Sequence, residues 1–382
     1  MAAPLRILTI VGARPQIIKA SAISRAIRGP FQGRVTERLL HTGQHYDANM
    51  SDVFFAELGV PVPHIHLGVG SGSHADQTAR MLQGIGSAIL DERPDVVLVY
   101  GDTNSTLAGA LAAVKVHVPV AHVEAGLRSF DKGMPEEINR LLTDHGSTWL
   151  FCPTRTAVDN LKREGFAGGI PSRPTADHPA VVLSGDVMFD NSLHFAALAR
   201  ERSTFIPRLG LKPGRFFLAT IHRDHNTDDP ERLSAILSAL TAVAQDAGDP
   251  VVLPLHPRTR KQIERPEMAP VRKSMAGSVR LIEPVGFLDM AALEEGSRLV
   301  FTDSGGVQKE SYFHRRPCVV LRGATEWVEL VQHGQAILAD ADPERIRKAA
   351  ADLLAKERID TPSLFGDGHA AERICAELLG QA

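Results

Sequence analysis

The sequence predicts an α/β protein built from two doubly wound parallel sheets. Three observations carry that prediction. Short apolar runs of strand length recur from one end of the chain to the other, nearly continuous in character, as parallel strands covered on both faces require. Between them lie segments long enough for crossover helices, so β and α elements alternate. A loop-rich stretch then interrupts the alternation near the middle, and the pattern restarts after it. A chain of 382 residues has room for two or three domains of about 150 residues each.

Taken in order, the first-half strands fall at residues 6–11, 38–40, 96–100, 119–123 and 149–152, and the second-half strands at 216–221, 250–254, 278–282, 299–302 and 318–321. Segments 105–114 and 229–247 read as crossover helices. The interruption is Gly168-Gly169-Ile170-Pro171-Ser172-Arg173-Pro174, followed by Asp177-His178-Pro179, all turn chemistry. It places a boundary near 188–200, giving an N-terminal domain over 1–190 and a C-terminal domain over 191–365 that face a common cleft. Residues 368–379 read as an amphipathic helix.

Composition excludes several classes. Lys plus Arg (42) nearly balance Asp plus Glu (45) for a net charge of −3, so no basic excess points to nucleic acid or an anionic membrane. Cys152, Cys318 and Cys375 lie far apart, which argues against a disulfide framework or a cysteine-rich zinc site. No apolar stretch approaches the roughly 20 residues of a membrane span. The run 7–11 is too short for a signal peptide. The expectation is a cytoplasmic enzyme.

In open α/β sheets ligands bind at the carboxyl ends of strands. In the first half those ends read Gly12-Ala13-Arg14, Thr42-Gly43-Gln44-His45, Gly101-Asp102-Thr103 and Glu124-Ala125-Gly126. In the second they read His222-Arg223, His256-Pro257, Thr302-Asp303-Ser304-Gly305-Gly306 and Arg322. The run from Asp303 to Glu310 is the clearest anion-binding candidate, a strand passing through small residues into a helix whose free N–H groups and dipole point at one spot. Glu310, in the second turn, could accept from a ribose; a plain helix cap at Ser304 is the simpler alternative. Arg14 could pair with phosphate, with Lys19 about one turn further on. Asp102, Glu124 and Glu136 are the acid/base candidates, although Glu136 and Glu137 could equally complement a helix dipole after Pro135.

Other patterns fail. Gly68-x-Gly70-x-Gly72 has the wrong spacing for a dinucleotide site, and there is no P-loop or nucleophile elbow. His122-Val123-Glu124 resembles the H-x-E of zinc deaminases but lacks the cysteine pair. His64-x-His66, His74-x-Asp76 and His222-x-x-His225 could ligate a metal, yet such scattered histidines are more often hydrogen-bonded surface residues.

Together the motifs resemble the non-hydrolysing UDP-N-acetylglucosamine 2-epimerase family over essentially the whole chain. The likeness runs through the motifs at 10–16, 42–45, 101–106, 122–128, 135–140, 222–223 and 302–308, in order. It implies a GT-B architecture of two Rossmann-like domains, the nucleotide held mainly by the second, and a C-terminal helix (366–382) returning to the first. It implies loss of the C2 proton, anti elimination of UDP to a glycal, and re-addition with the proton returned to the opposite face. It also implies a homodimer that needs no metal or other cofactor. Catalytic roles carry over to Asp102, Glu124, Glu136 and His222, without saying which carboxylate is the base. Binding roles carry over to Arg14, Lys19, Gln44, His256, Ser304, Gly305, Gly306 and Glu310.

Two departures stand out. The family's H-R-x-E-N reads His222-Arg223-Asp224-His225-Asn226, and its T-E-R-P-E reads Thr325-Glu326-Trp327-Val328-Glu329. With a short loop between Glu124 and Glu136 and the stretch 253–260, the latter is more similar to the subgroup acting on UDP-2,3-diacetamido-2,3-dideoxyglucuronate. A GT-B glycosyltransferase, a hydrolysing epimerase or a non-catalytic UDP-sugar sensor are the alternatives; the carboxylate trio favours the epimerase.

Overall fold

The computed structural model describes residues 3–44, 59, 61–356 and 362–380. His45 of the second motif and the last two residues of the expected terminal helix lie outside the described residues. The chain divides into two compact units, Met1–Asn191 with Ser363–Ala382, and Ser192–Pro362.

The first unit contains strands β1 (Leu5–Val11), β2 (Val35–His41), β3 (Ile65–His66), β4 (Val96–Tyr100), β5 (Val120–Val123), β6 (Trp149–Cys152) and β7 (Ala180–Leu183). They form one parallel sheet in the order β3-β2-β1-β4-β5-β6-β7. Its helices are α1 (Arg14–Arg28), α2 (His74–Glu92), α3 (Asn104–Lys115), α4 (Pro135–Gly146) and α5 (Arg155–Arg163), with α6 (Val187–Arg202) carrying the chain onward.

The second unit contains β8 (Phe217–Thr220), β9 (Val251–Pro254), β10 (Val279–Ile282), β11 (Val300–Thr302), β12 (Cys318–Val320) and β13 (Ala336–Leu338), parallel in the order β10-β9-β8-β11-β12-β13. Helices α7 (Pro230–Ala247), α8 (Pro257–Ile263), α9 (Phe287–Gly296), α10 (Gly305–Phe313) and α11 (Pro343–Leu354) follow its strands. The last helix, α12 (Ala370–Leu378), belongs to the first unit, where it packs on α1. Asp190 accepts hydrogen bonds from the first N–H groups of α12, at Ala370 (3.0 Å) and Ala371 (2.8 Å).

Apolar side chains explain why these segments settle as they do. Leu8, Ile10, Val97 and Val99 face Met81, Ile85 and Ala108 on one side of the first sheet, and Phe217, Ala219 and Phe301 face Leu237, Leu240 and Ile346 in the second. Each such burial removes about 1.5–3 kcal/mol worth of apolar surface from water. The strand order reverses between β1 and β4 and again between β8 and β11. These are the switch points where open α/β sheets present the mouths of diverging loops.

Candidate functional site

At the first switch point the loops after β1, β4 and β5 are tied together by buried polar groups. Gln16 accepts from the N–H groups of Gly12 (2.8 Å) and Ala13 (3.2 Å), while its own amide donates to the Tyr100 carbonyl and to Thr106, both at 2.9 Å. This fixes the start of α1, where Arg14 stands exposed. One turn further, the Lys19 ammonium forms an ion pair with Glu124, both side chains being largely buried. Glu124 holds a left-handed backbone conformation, φ +73°. That conformation lets the N–H groups of Glu124 and Ala125 both donate to the Phe151 carbonyl, each at 3.1 Å. Gly101 lies against the same pair: a Cβ there would come 3.2 Å from both the Glu124 carboxylate and the Lys19 ammonium.

Asp102 is held from α4. Arg140 donates to its carboxylate (2.5 Å) and to Glu137 (2.8 Å), and the Asn139 amide donates to the Asp102 carbonyl (2.9 Å). Glu136 is exposed at the start of α4, whereas its neighbour Glu137 is buried and accepts from the N–H groups of Ser129 (2.9 Å) and Phe130 (3.0 Å). Burial works to raise the Glu137 pKa, but those N–H groups and Arg140 bring it below the usual carboxylate range. Gln44 is buried, its oxygen accepting from the Ser105 amide (3.0 Å) and hydroxyl (2.7 Å), so it anchors the start of α3. Sequence reasoning missed Glu137, Asn139 and Arg140. Glu137 and Arg140, three residues apart, share one face of α4 and pair there, while Glu136 points to another, and only the fold tells which face turns inward.

At the second switch point the organising group is Asp303, fully buried at the end of β11. It accepts from the backbone N–H groups of His222 (3.2 Å) and Arg223 (3.1 Å) and from the Asn226 amide (3.2 Å), and faces the His222 Nδ1 at 3.3 Å. Burial lowers the His222 pKa, against the opposite pull of Asp303. The His256 ring lies 6.1 Å from that of His222, and its Nδ1 accepts from the Arg258 N–H at 3.3 Å. Ser304 caps α10 by accepting from the Val307 N–H (3.4 Å), which leaves the Gly305 and Gly306 N–H groups at the helix start.

Gly305 lies close under Glu326: a Cβ there would meet the Glu326 carboxylate at 2.3 Å, so that flexible side chain would have to move aside. Glu326 in turn pairs with Arg322 at 2.8 Å, and Trp327 is buried with the Lys309 ammonium 4.2 Å over its ring. Glu310 is partly buried. Burial, then the neighbouring Glu294, pushes its carboxyl up to about 8, and burial pushes Glu294 to about 8 as well. Of the H-R-x-E-N departure, Asn226 is interior and also donates to the Leu321 carbonyl (2.9 Å), whereas His225 is exposed.

Two of the histidines considered as ligands have other partners: His64 accepts from the Leu39 N–H (3.1 Å), and His74 lies 3.0 Å from the Asn104 amide. Among the described residues there is no group of three or more His, Cys, Asp or Glu that could hold a metal ion, and no helix long and apolar enough to cross a membrane.

Two parallel sheets, each with charged side chains and a helix start at its switch point, define a GT-B-like α/β enzyme. A family model described as UDP-N-acetylglucosamine 2-epimerase matches residues 31–379, and the chain belongs to that family of isomerases. A UDP-2,3-diacetamido-2,3-dideoxy-D-glucuronate 2-epimerase of Pseudomonas aeruginosa is 52% identical, covering 98% of this chain and 99% of that protein. The UDP-N-acetylglucosamine 2-epimerase of Methanocaldococcus jannaschii is 40% identical over 97% and 98% of the two chains. Its crystal structure in complex with UDP-GlcNAc and UDP superposes with a TM-score of 0.79 over 99% of both chains. The Neisseria meningitidis enzyme bound to UDP-GlcNAc is 27% identical, with a TM-score of 0.81 over 98% of this chain and all of that one.

Proposed function

We propose that the protein interconverts C2 epimers of a UDP-2-acetamido sugar without net hydrolysis, and that its substrate is UDP-2,3-diacetamido-2,3-dideoxyglucuronate. The observation that carries the choice of sugar is the 52% identity, nearly end to end, with the Pseudomonas aeruginosa protein of that description. The Thr325-Glu326-Trp327-Val328-Glu329 stretch supports the same reading.

A carboxylate removes the C2 proton, the C1–O bond to the β-phosphate breaks, and a C1=C2 double bond forms. UDP then adds back to C1 as a proton reaches the opposite face of C2. The proton on C2 has no adjacent carbonyl, so the barrier falls only if the leaving group is stabilised together with the base. In the second unit the Gly305 and Gly306 N–H groups, the α10 dipole and His222 suit the diphosphate, with Glu310 on the ribose and His256 beside it. In the first, Arg14 suits the departing phosphate, and Asp102, Glu124 and Glu136 suit proton transfer on the two faces of C2. Lys19, paired to Glu124, acts through that carboxylate, and Gln44 acts through α3.

The assignment of the N-terminal unit to proton transfer and of the C-terminal unit to UDP belongs to this proposal. So does a cytoplasmic location, supported by three free buried cysteines. A homodimer, supported by the exposed apolar stripe of Met134, Ile138 and Leu142, is tested by light scattering. Turnover on both sugars tests the substrate. The diacetamido uronate is expected to have a kcat/KM at least about tenfold above UDP-GlcNAc, a difference of about 1.4 kcal/mol in transition-state binding; the reverse order overturns the choice.

A further inference from the structure

Beneath the loops after β4 and β5 lies a buried charge network that the proposed chemistry leaves unused. His122, on β5, and Asp144, near the end of α4, are both fully buried, with the imidazole Nδ1 2.6 Å from one Asp144 oxygen. The other Asp144 oxygen accepts from the Gly126 N–H (3.1 Å) and pairs with Arg128 at 2.7 Å. Arg128 closes the set with two 2.7 Å hydrogen bonds to Glu164. Arg128 thus bridges the two carboxylates, while His122 holds the other oxygen of Asp144. Burial works to raise the Asp144 pKa, but His122 and Arg128 bring it below the ordinary value, so it is a carboxylate.

The far side of the ring is the informative one. His122 Nε2 lies 2.8 Å from the Gly101 carbonyl oxygen, an acceptor only. A carbonyl on one side and a carboxylate on the other require an N–H on both nitrogens. Both ring nitrogens are thus engaged, which leaves no lone pair for a metal.

We propose that His122 is a positioning residue for the proton-transfer step. Anchored by Asp144, it holds the Gly101 carbonyl and so sets the Gly101–Asp102 peptide, from which the Asp102 carboxylate projects. The same peptide is the floor on which the Lys19–Glu124 pair rests. Gly101 has φ +64° and Glu124 φ +73°, and the Gly101 N–H donates to the Val123 carbonyl at 2.9 Å, so both carboxylates hang on backbone that His122 braces. The inference rests on the reading of Asp102 and Glu124 as proton-transfer groups.

Two amide variants separate bracing from bulk. In His122→Asn the amide can take the place of Nδ1 and keep Asp144, but it leaves the Gly101 carbonyl without its donor. In His122→Gln the amide reaches the place of Nε2 and restores that donor. His122→Asn is expected to lower C2 deuterium exchange about a hundredfold, the cost of roughly 1 Å of misplacement, with UDP affinity unchanged. His122→Gln is expected to recover at least about tenfold of it, as the restored hydrogen bond should re-seat the peptide.

Equal exchange in the two variants overturns the proposal, as does a matching loss of UDP affinity. The wild-type protein gives a second readout that depends on no variant folding. Its ¹⁵N-histidine spectrum should show both His122 ring nitrogens protonated, and one unprotonated nitrogen overturns the clamp. If Asp102→Asn and Glu124→Gln both retain exchange, the underlying reading fails instead; if they abolish it while His122→Asn does not, only this proposal fails.

Discussion

Glu124 joins a costly backbone conformation to a proposed catalytic role, and the two can be separated by a pair of substitutions. A non-glycine residue in the left-handed region costs about 1–2 kcal/mol, and at φ +73° Glu124 bears that cost. Glu124→Ala removes the ion pair with Lys19 and keeps the strain. Glu124→Gly removes both, but glycine loses more freedom on folding, about 0.5–1 kcal/mol. The glycine variant is therefore expected to exceed the alanine variant in stability by about 0.5–1 kcal/mol, or about 1–4 °C in Tm for a folding unit of roughly 200 residues. Both variants should lose C2 exchange. Denaturant titration of the pair, read as a shift in midpoint at constant slope, measures the difference. A glycine variant no more stable than the alanine variant would refute the idea that strain is held at this position.

Adjacent acids on α4 should separate function from stability: Glu136→Gln is expected to cut turnover at least about a hundredfold with unchanged stability, while Glu137→Gln is expected to destabilise the fold by about 1–3 kcal/mol. Turnover and urea titration of the two variants check this. Glu294 and Glu310, both pushed up to about 8, bind protons in the folded protein that the unfolded chain has released above about pH 4.3. The native state then holds more protons, so stability falls as pH rises from about 4 to 8. Glu294→Gln should flatten that slope by at most about 1.4 kcal/mol per pH unit, measured by denaturant titration across the range. Cys152, Cys318 and Cys375 are buried and their thiols are raised, the latter two to about 12. A thiol reagent is expected to label none of them in the native protein and all three after denaturation.

Central strands were legible because both faces are buried and each reads as an uninterrupted apolar run. Residues 96–100 and 149–152 match β4 and β6 to the residue, and the other eight expected strands shift by one to three positions at an end. The three strands not foreseen, β3, β7 and β13, are two to four residues long and lie at sheet edges, where a short run carries little periodic signal. Strand-end residues were legible because a parallel sheet directs them to its carboxyl edge whatever their chemistry. What the sequence could not separate was which polar residue turns inward. Glu136 and Glu137 are chemically alike, yet one is exposed and the other buried among three donors. The sequence rejects His122 beside Glu124 as a metal site for want of a cysteine pair but gives it no other role, because its two acceptors lie 21 and 22 residues away in sequence. Long-range hydrogen bonds of this kind leave no local pattern.

The proposed reaction turns on reversible loss and return of the C2 proton with UDP kept in play. Incubating the purified protein in deuterated water with UDP-2,3-diacetamido-2,3-dideoxyglucuronate, and separately with UDP-GlcNAc, tests it by NMR. Deuterium is expected at C2 in both epimers, with no net loss of the UDP-sugar. Absence of deuterium from C2 with both sugars, or release of free UDP in step with turnover, would contradict it.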